Sequence, residues 1–202
     1  MKNRIVISGK ELFIKQGFRN TSIRQIANLS DVSIANIYNY FKNKDELFQY
    51  IVRDAIRVYE EFLLASYSNE VFENERSWTI EGEIEICNKF IDILYDYQNE
   101  FILLLSKSEG SKFENYEMKM IEMQCGLSKK TNEYINKGEK TFLKKQIPEF
   151  ITRNTAKMYM EIIVEGLCSR LNKTEVKERI NECVFFLFYG YTAYFSDNIQ
   201  NK

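Results

Sequence analysis

Two asparagines near the start of the chain have a type and spacing suited to reading bases. Asn36 and Asn39 are three residues apart, so a helix places them on one face. An asparagine amide pairs bidentately with N6 and N7 of adenine in the major groove, and Ile34 and Ala35 beside them can touch a thymine methyl group. If this segment is a helix that enters DNA, it predicts A·T pairs in the bound site.

Side chains on either side of this pair are suited to binding phosphate. Lys44 lies at the predicted start of a helix, where a cation and free backbone N–H groups together favour a phosphate. Thr21 and Ser22 place hydroxyl groups at the start of an earlier helix, and Arg24 can reach a guanine edge or a phosphate from there. For Ser22 and Ser33 the sequence leaves a DNA contact and a purely structural capping role both open.

Capping signals define the helices that carry these residues. A first helix is predicted over residues 3–16, with Gly17 as its C-cap. Ser22, followed three residues later by Gln25, forms a capping box and predicts that a short second helix starts there.

A tight turn and a third short helix follow. Asp31 falls at the turn, and aspartate tolerates the left-handed conformation better than most residues. Ser33 is the predicted N-cap of a helix through about Tyr40, with Ile37 and Phe41 as core residues. Two short capped helices separated by a tight turn form a helix-turn-helix.

The rest of the chain is also predicted to be helical, with about nine helices in all. Asn43 with Glu46 predicts the start of a fourth helix, and the polar, aperiodic segment 66–79 is expected to separate the first four helices from the body. Five further helices are predicted, with Pro148 and Thr174 at the starts of the last two, over residues 80–97, 100–106, 113–136, 148–171 and 174–199.

The final helix is apolar on nearly every side between Cys183 and Phe195. Packing on the body covers only one side and leaves Phe185, Phe188, Tyr189 or Tyr191 in need of other cover. Gly166 and Gly190 are unfavourable inside helices unless another helix approaches closely. A second copy of the chain would supply that cover, and complete burial within one copy is the alternative.

Composition excludes several classes of protein. The 202 residues include one proline, eight glycines and no histidine, which disfavours a turn-rich β fold and excludes histidine-dependent catalysis and histidine metal ligands. The four cysteines form no CxxC pair and fit reduced core thiols of a cytoplasmic protein. The longest uncharged run near the C-terminus has 14 residues, fewer than a membrane span needs. No cofactor or metal is expected.

Charge is distributed unevenly along the chain. Residues 1–44 hold eight basic and two acidic residues, whereas the remainder holds 20 basic and 27 acidic ones. A basic N-terminal unit on an acidic body suggests that the first segment meets an anion, although chance clustering gives the same count.

The segment 21–48 together with the preceding ELFIKQGF resembles the DNA-binding unit of TetR-family (tetracycline-repressor-like) transcriptional regulators. The resemblance covers roughly residues 4–52. It is carried by Leu12-Phe13, Gly17-Phe18, Thr21-Ser22, Ile26-Ala27, Val32-Ser33, Ile37-Tyr38, Tyr40-Phe41, Lys44 and Glu46-Leu47.

Two departures from the family pattern bear on DNA binding. Asp31 stands where the family usually has glycine, and it places a negative charge near the expected phosphates. Ile34, Ala35 and Asn36 replace the common lysine-glycine-threonine after the serine, which alters the sequence bound rather than DNA binding itself. Tyr38 and Tyr40 resemble the aromatic residues with which the family contacts the DNA backbone.

The resemblance also implies an all-α chain with a helix-turn-helix DNA-binding domain over 1–47 and a ligand-binding and dimerisation domain over 48–202. The family would form a homodimer through the last two helices and release a palindromic double-stranded operator when a small lipophilic effector binds. The candidate cavity residues are aromatic or methionine side chains, which also fit an ordinary core: Trp78, Phe90, Tyr97, Phe101, Phe113, Tyr116, Met120 and Met123.

Two other classes of function remain as alternatives. A helical enzyme has little support because the chain lacks histidine, a glycine-rich phosphate loop and a paired catalytic motif. A binding or scaffold protein with a helix-turn-helix that no longer reads DNA has Asp31 as its support. The sequence does not specify the ligand, the operator, the regulated genes, the sign of regulation or the number of dimers per operator.

Overall fold

The computed structural model describes residues 1–136, 148–169 and 171–195, and all regular secondary structure in these ranges is helical. This confirms the all-α fold with a helix-turn-helix near the N-terminus. The described ranges contain ten α-helices and one 3-10 turn: α1 Lys2–Gln16, α2 Ile23–Ser30, α3 Ile34–Tyr38, α4 Lys44–Ser66, α5 Asn69–Glu73, the 3-10 turn Glu75–Trp78, α6 Ile80–Asp96, α7 Gln98–Ser106, α8 Tyr116–Asn136, α9 Glu149–Cys168 and α10 Lys173–Phe195.

The chain forms two compact units, each built from two separate segments of the sequence. Unit 1 comprises residues 1–58 and 96–118, and unit 2 comprises the described residues of 59–95 and 119–202. This division differs from the expected domains 1–47 and 48–202. It differs because α7 and the loop after it pack on the N-terminal helices, as two contacts show: the backbone N–H of Phe18 donates to the Lys107 oxygen at 2.8 Å, and Lys10 pairs with Glu100 at 2.5 Å.

Three phenylalanines form the centre of unit 1. Phe13, Phe18 and Phe48 come from α1, the following loop and α4, and their ring centroids lie 5.2–5.7 Å apart. All three are buried, so each removes a large apolar surface from water. Gly17 ends α1 with φ 81° and donates its N–H to the Phe13 oxygen, which confirms the predicted C-cap.

In unit 2, α9 and α10 approach closely at Gly166. A methyl group added there would lie 2.5 Å from Cγ2 of Val176, so glycine permits this contact. Nothing in the described chain lies within 4 Å of the corresponding point on Gly190. The predicted close approach therefore occurs within the chain at Gly166 and not at Gly190.

The structure corrects two local predictions. The segment 66–79, expected to be without helix, contains α5 and the 3-10 turn, with Ser68 and Asn74 as their N-caps. The last helix is capped by Asn172 rather than Thr174, because Asn172 and Glu175 each accept the backbone N–H of the other, at 3.0 and 2.8 Å. The predicted end of that helix at residue 199 lies outside the described residues.

Among the helices that the structure describes, none combines the length and the hydropathy needed to cross a membrane.

Candidate functional site

The two helices of the helix-turn-helix begin as their capping residues predict. The Ser22 hydroxyl accepts the Gln25 N–H at 3.2 Å, and the Gln25 side chain accepts the Ser22 N–H at 2.8 Å, so the capping box is complete. Ser33 accepts the Asn36 N–H at 3.2 Å and caps α3. Asp31 lies between them with φ 52° and ψ 52°, the left-handed turn conformation expected of it.

These caps present one side of α3 to solvent. Ile37 is fully buried beneath it, which fixes the rotation of the helix on the rest of unit 1. The outward side chains form what we call the reading surface. Of its apolar members, Ile34, Tyr38 and Tyr40 are 42–52% exposed. The reading surface consists of Ser33, Ile34, Ala35, Asn36, Tyr38, Asn39 and Tyr40, of which only Asn36 is half-buried.

Ile34, Tyr38 and Tyr40 place three exposed apolar side chains close together in sequence on and just after this short helix. Ile34 and Ala35 precede Asn36, and Asn39 follows one residue after the helix ends at Tyr38. The residues predicted to read bases therefore lie in the first turn of α3 and directly after its last residue. This is the arrangement that a helix entering the major groove N-terminus first requires.

Thr21 is not available to a phosphate. Its side chain is buried, and its hydroxyl donates to the backbone oxygen of Gly17 at 2.7 Å. The residue therefore fastens the loop before α2 to the end of α1. The expected phosphate contact through this hydroxyl does not fit the structure, because the loop uses the group internally.

Lys44 also has an internal role. Its ammonium group donates to the backbone oxygens of Phe18 and Thr21, each at 2.7 Å, and lies 4.1 Å from the centroid of the Phe18 ring. Partial burial lowers the pKa of this ammonium group, and the Asp45 carboxylate opposes that shift. The side chain thus links α4 to the loop before α2 within unit 1, and its contact with a phosphate stays a prediction.

Exposed cations remain next to the reading surface. Arg24 on α2 and Lys42 before α4 are both exposed. Arg4 donates to the backbone oxygen of Asp31 at 3.1 Å, and its guanidinium lies 3.9 Å from the Asp31 carboxylate. The negative charge of Asp31 at the turn therefore has the positive charge of Arg4 beside it.

Unit 2 contains a cavity of about 690 Å³. Its walls come from the second half of α4, from α5 with the 3-10 turn, and from α6, α8, α9 and α10. The lining is rich in aromatic rings, including Phe62 and Phe90, whose planes are 8° apart with centroids at 5.8 Å. This volume is within the range of pockets that hold drug-sized ligands.

The described wall of the cavity includes one carboxyl, that of Glu83. Glu83 on α6 lines the cavity, and the thiol of Cys87, one turn later, lies 3.9 Å from its Oε1. Burial raises the pKa of Glu83, and the thiol contact opposes that shift. Burial also raises the pKa of Tyr67 and Tyr159, for which the Glu83 charge is a further cause.

Two of the eight predicted cavity residues, Trp78 and Phe90, line this cavity. The Trp78 indole N–H donates to the Phe72 oxygen at 2.8 Å, which holds the ring in place. The other six are not among its lining residues. Phe101, Tyr116 and Met120 are buried in the core, Phe113 packs on Phe48 in unit 1, and Tyr97 and Met123 are half-buried elsewhere.

Sequence reasoning placed Phe188 and Tyr191 among the residues that need cover from outside, but both line the cavity. It also missed Glu83. A signal was present: Glu83, Cys87 and Phe90 follow the i, i+4, i+7 spacing of one helix face, so an acidic residue heads an otherwise apolar row. A carboxyl in such a row is either paired or functional.

Known proteins resemble the chain most clearly at the helix-turn-helix. Residues 5–51 match the family described as bacterial regulatory proteins, tetR family. QacR of Staphylococcus aureus, an HTH-type transcriptional regulator, is 30% identical over 125 residues, which are 57% of this chain and 66% of QacR. IcaR of Staphylococcus epidermidis, an HTH-type negative transcriptional regulator of the biofilm operon icaADBC, is 24% identical over 56% of this chain and 58% of IcaR. The chain spans less than two thirds of either relative.

A solved structure extends the likeness to the whole fold. A TetR-like transcriptional regulator from Rhodococcus sp. RHA1 matches with a TM-score of 0.62 over 93% of this chain and 95% of that one. The two sequences are 14% identical, so this likeness concerns the fold alone.

Proposed function

We propose that this chain, whose residues 5–51 match the tetR family of bacterial regulatory proteins, is a sequence-specific DNA-binding repressor. It acts as a homodimer on a palindromic operator and releases the operator when a small lipophilic molecule binds. The observation that carries the DNA-binding step is the reading surface, a capped short helix that holds Ile34, Ala35 and Asn39 out to solvent above a buried Ile37.

In this proposal α3 enters the major groove by its first turn. Asn36 and Asn39 pair with adenine, and Ile34 and Ala35 contact thymine methyl groups. Tyr38 and Tyr40, the exposed Arg24 and the N-termini of α2 and α4 contact phosphates and fix the register on the duplex. Lys44 connects the start of α4 to the loop before α2 through its hydrogen bonds to the backbone oxygens of Phe18 and Thr21.

The proposed dimer forms through α9 and α10. Phe186 on α10 is 79% exposed, and Phe185 and Tyr189 beside it are 53% and 54% exposed. Three large aromatic side chains on one stretch of helix form the kind of apolar patch that marks a protein interface. A two-fold dimer places two reading surfaces about 34–36 Å apart on successive major grooves, so a palindromic site is expected.

The proposed effector binds in the cavity of unit 2. Helix α4 begins at Lys44 beside the helix-turn-helix, and Tyr59, Phe62 and Leu63 in its second half line the cavity. One helix therefore has an end at each site. A ligand that binds more tightly to one position of α4 shifts the population of DNA-binding dimers. The difference in its binding free energy between the two positions is the coupling free energy.

Selection from random double-stranded DNA tests the DNA-binding step. The purified protein is incubated with a random duplex pool, with and without cell extract, and the bound fraction is amplified and sequenced. We expect an inverted repeat whose half-sites contain A·T pairs in a fixed position. Recovery of sequences with no shared motif in both conditions would contradict the proposal.

A further inference from the structure

The cavity of unit 2 carries an unbalanced charge. Glu83 is the one formally charged side chain among its lining residues in the described part of the chain, and no lysine or arginine is among them. The remaining polar lining consists of hydroxyl, amide and thiol groups. Among these described lining residues, a ligand therefore meets a single negative charge and no positive one.

Glu83 also lacks strong hydrogen-bond donors. A carboxylate has about four acceptor positions, and the contact found within the described residues is the Cys87 thiol at 3.9 Å, a weak donor. The hydroxyl of Tyr191, which also lines the cavity, forms a hydrogen bond with the Thr155 hydroxyl at 3.1 Å. A half-buried carboxylate with so few donors is costly to keep away from water, so a group in the cavity that carries a positive charge would stabilise it.

Aromatic side chains line the same cavity as this carboxyl. Tyr59 and Phe62 both lie against Phe90, with centroids at 5.6 and 5.8 Å, and all three line the cavity. Trp78 lines it as well. Aromatic faces attract cations through the ring quadrupole, and clusters of such faces bind quaternary ammonium groups.

We infer that this cavity binds a lipophilic organic cation, with its charge beside Glu83 and its apolar part against the aromatic walls. The inference rests on the proposed function, in which the cavity receives the effector, and it adds the chemical class of that effector. An anion of the same size would face Glu83 without a counter-charge. A neutral hydrocarbon would leave the carboxyl without a partner.

The pH dependence of binding follows from the groups that face Glu83. Burial raises the pKa of Cys87, Tyr67, Tyr159 and Tyr191, so all four stay neutral as the solution becomes acidic. Burial raises the pKa of Glu83 as well, so this carboxylate becomes protonated at a higher pH than an ordinary glutamate. A permanent cation therefore binds more weakly as the pH falls through the Glu83 pKa.

Two probes of equal shape and opposite charge test the inference on the unaltered protein. Tetraphenylphosphonium and tetraphenylborate are titrated by calorimetry in the absence of DNA, and phenylbutyltrimethylammonium with phenylpentanoate serves as a slimmer pair. Trp78 is the single tryptophan of the chain and lines the cavity, so its fluorescence reports binding at this place. We expect the cation of at least one pair to bind more tightly than its anion by roughly tenfold or more and to perturb Trp78.

Glu83→Gln then separates charge from shape. It should weaken cation binding by roughly tenfold or more, remove its pH dependence and leave anion binding no weaker. Glu81→Gln is the matched control, because Glu81 lies on the same helix but is exposed and outside the cavity lining. Binding of the anions that equals or exceeds that of the cations, no cation binding at all, or equal cation affinity in Glu83→Gln would each overturn the inference.

Operator binding is measured separately on the same preparations. Glu81 lies outside the cavity lining and outside the reading surface, so Glu81→Gln should bind DNA as the unaltered protein does. Intact DNA binding without a preference for cations rejects the ligand class alone. Loss of DNA binding in the unaltered protein rejects the proposed function.

Discussion

The ammonium group of Lys44 donates to the backbone oxygen of Phe18 at 2.7 Å and lies 4.1 Å from the centroid of the Phe18 ring. A second bond of the same length reaches the Thr21 oxygen. One side chain thus joins the start of α4 to the loop that leads into the helix-turn-helix. The lysine that the sequence predicts to bind phosphate is thus also a structural link in the folded protein.

Replacing Lys44 should therefore destabilise unit 1. Lys44→Met keeps the length of the side chain but leaves two backbone oxygens without their donor, so the free energy of unfolding should fall by about 1–3 kcal/mol in urea denaturation. Lys42→Met is the control, because Lys42 is exposed and its removal should change stability by less than about 0.5 kcal/mol. If Lys44→Met is as stable as the unaltered protein and only its DNA affinity falls, the side chain binds phosphate after all.

Asn36 should determine which base pair is bound. Asn36→Ala is expected to cost about 1–3 kcal/mol of discrimination at one position of each half-site, without a comparable change in binding to unrelated DNA. Competition with operators substituted at single positions measures this. Asn28→Ala is a suitable control, since Asn28 is an exposed asparagine on α2. Unchanged base preference in Asn36→Ala would show that this residue does not read the operator directly.

Phe186 should hold the dimer together. Phe186→Glu places a charge where a 79% exposed ring stands, so the fold of one copy should persist while the dimer dissociates. Sedimentation or light scattering should then give the mass of a single chain, and DNA affinity should fall with it. Met118→Glu offers a comparison at an apolar side chain that is 48% exposed on α8. A Phe186→Glu protein that remains dimeric places the interface elsewhere.

Glu83 should lower the free energy of unfolding as the pH rises. Its pKa is raised in the folded state above the ordinary value of 4.5, so the folded protein binds more protons than the unfolded one in the interval above 4.5. Stability is therefore lost as the pH rises through the folded pKa. Glu83→Gln, which cannot ionise, should be the more stable protein at about pH 8 and equal to the unaltered one at about pH 4.

Thermal unfolding at both pH values measures this difference, with Glu81→Gln as the reference for loss of an exposed charge. A constant difference between Glu83→Gln and the unaltered protein at every pH would mean that Glu83 is not perturbed by its surroundings.

The sequence predicts best those features that neighbouring residues determine. Ser22 and Gln25 complete their capping box three residues apart, Ser33 caps α3, and Asp31 adopts the left-handed turn. Each depends on bonds that span four residues or fewer, so spacing alone is sufficient. The same local rules identified the helix-turn-helix and its outward residues.

Local sequence patterns do not predict features that depend on residues far apart in the chain. The bonds of Lys44 join positions 23 and 26 residues apart in the chain. Phe113 has the spacing of a buried helix residue, but only packing assigns it to Phe48 rather than to the cavity. Periodicity indicates that a side chain is buried and not what it is buried against, which is why two of the eight predicted cavity residues line the cavity.

The most direct test of the account is the affinity of the purified protein for the DNA upstream of its own gene, measured against scrambled DNA of equal length over a salt series. We expect a dimer to protect a palindromic site more tightly than scrambled DNA, with a binding constant whose logarithm falls linearly with the logarithm of the salt concentration. Equal affinity for the two DNAs at every salt concentration, with the same result on duplexes selected from a random pool, would contradict the central claim that α3 reads sequence.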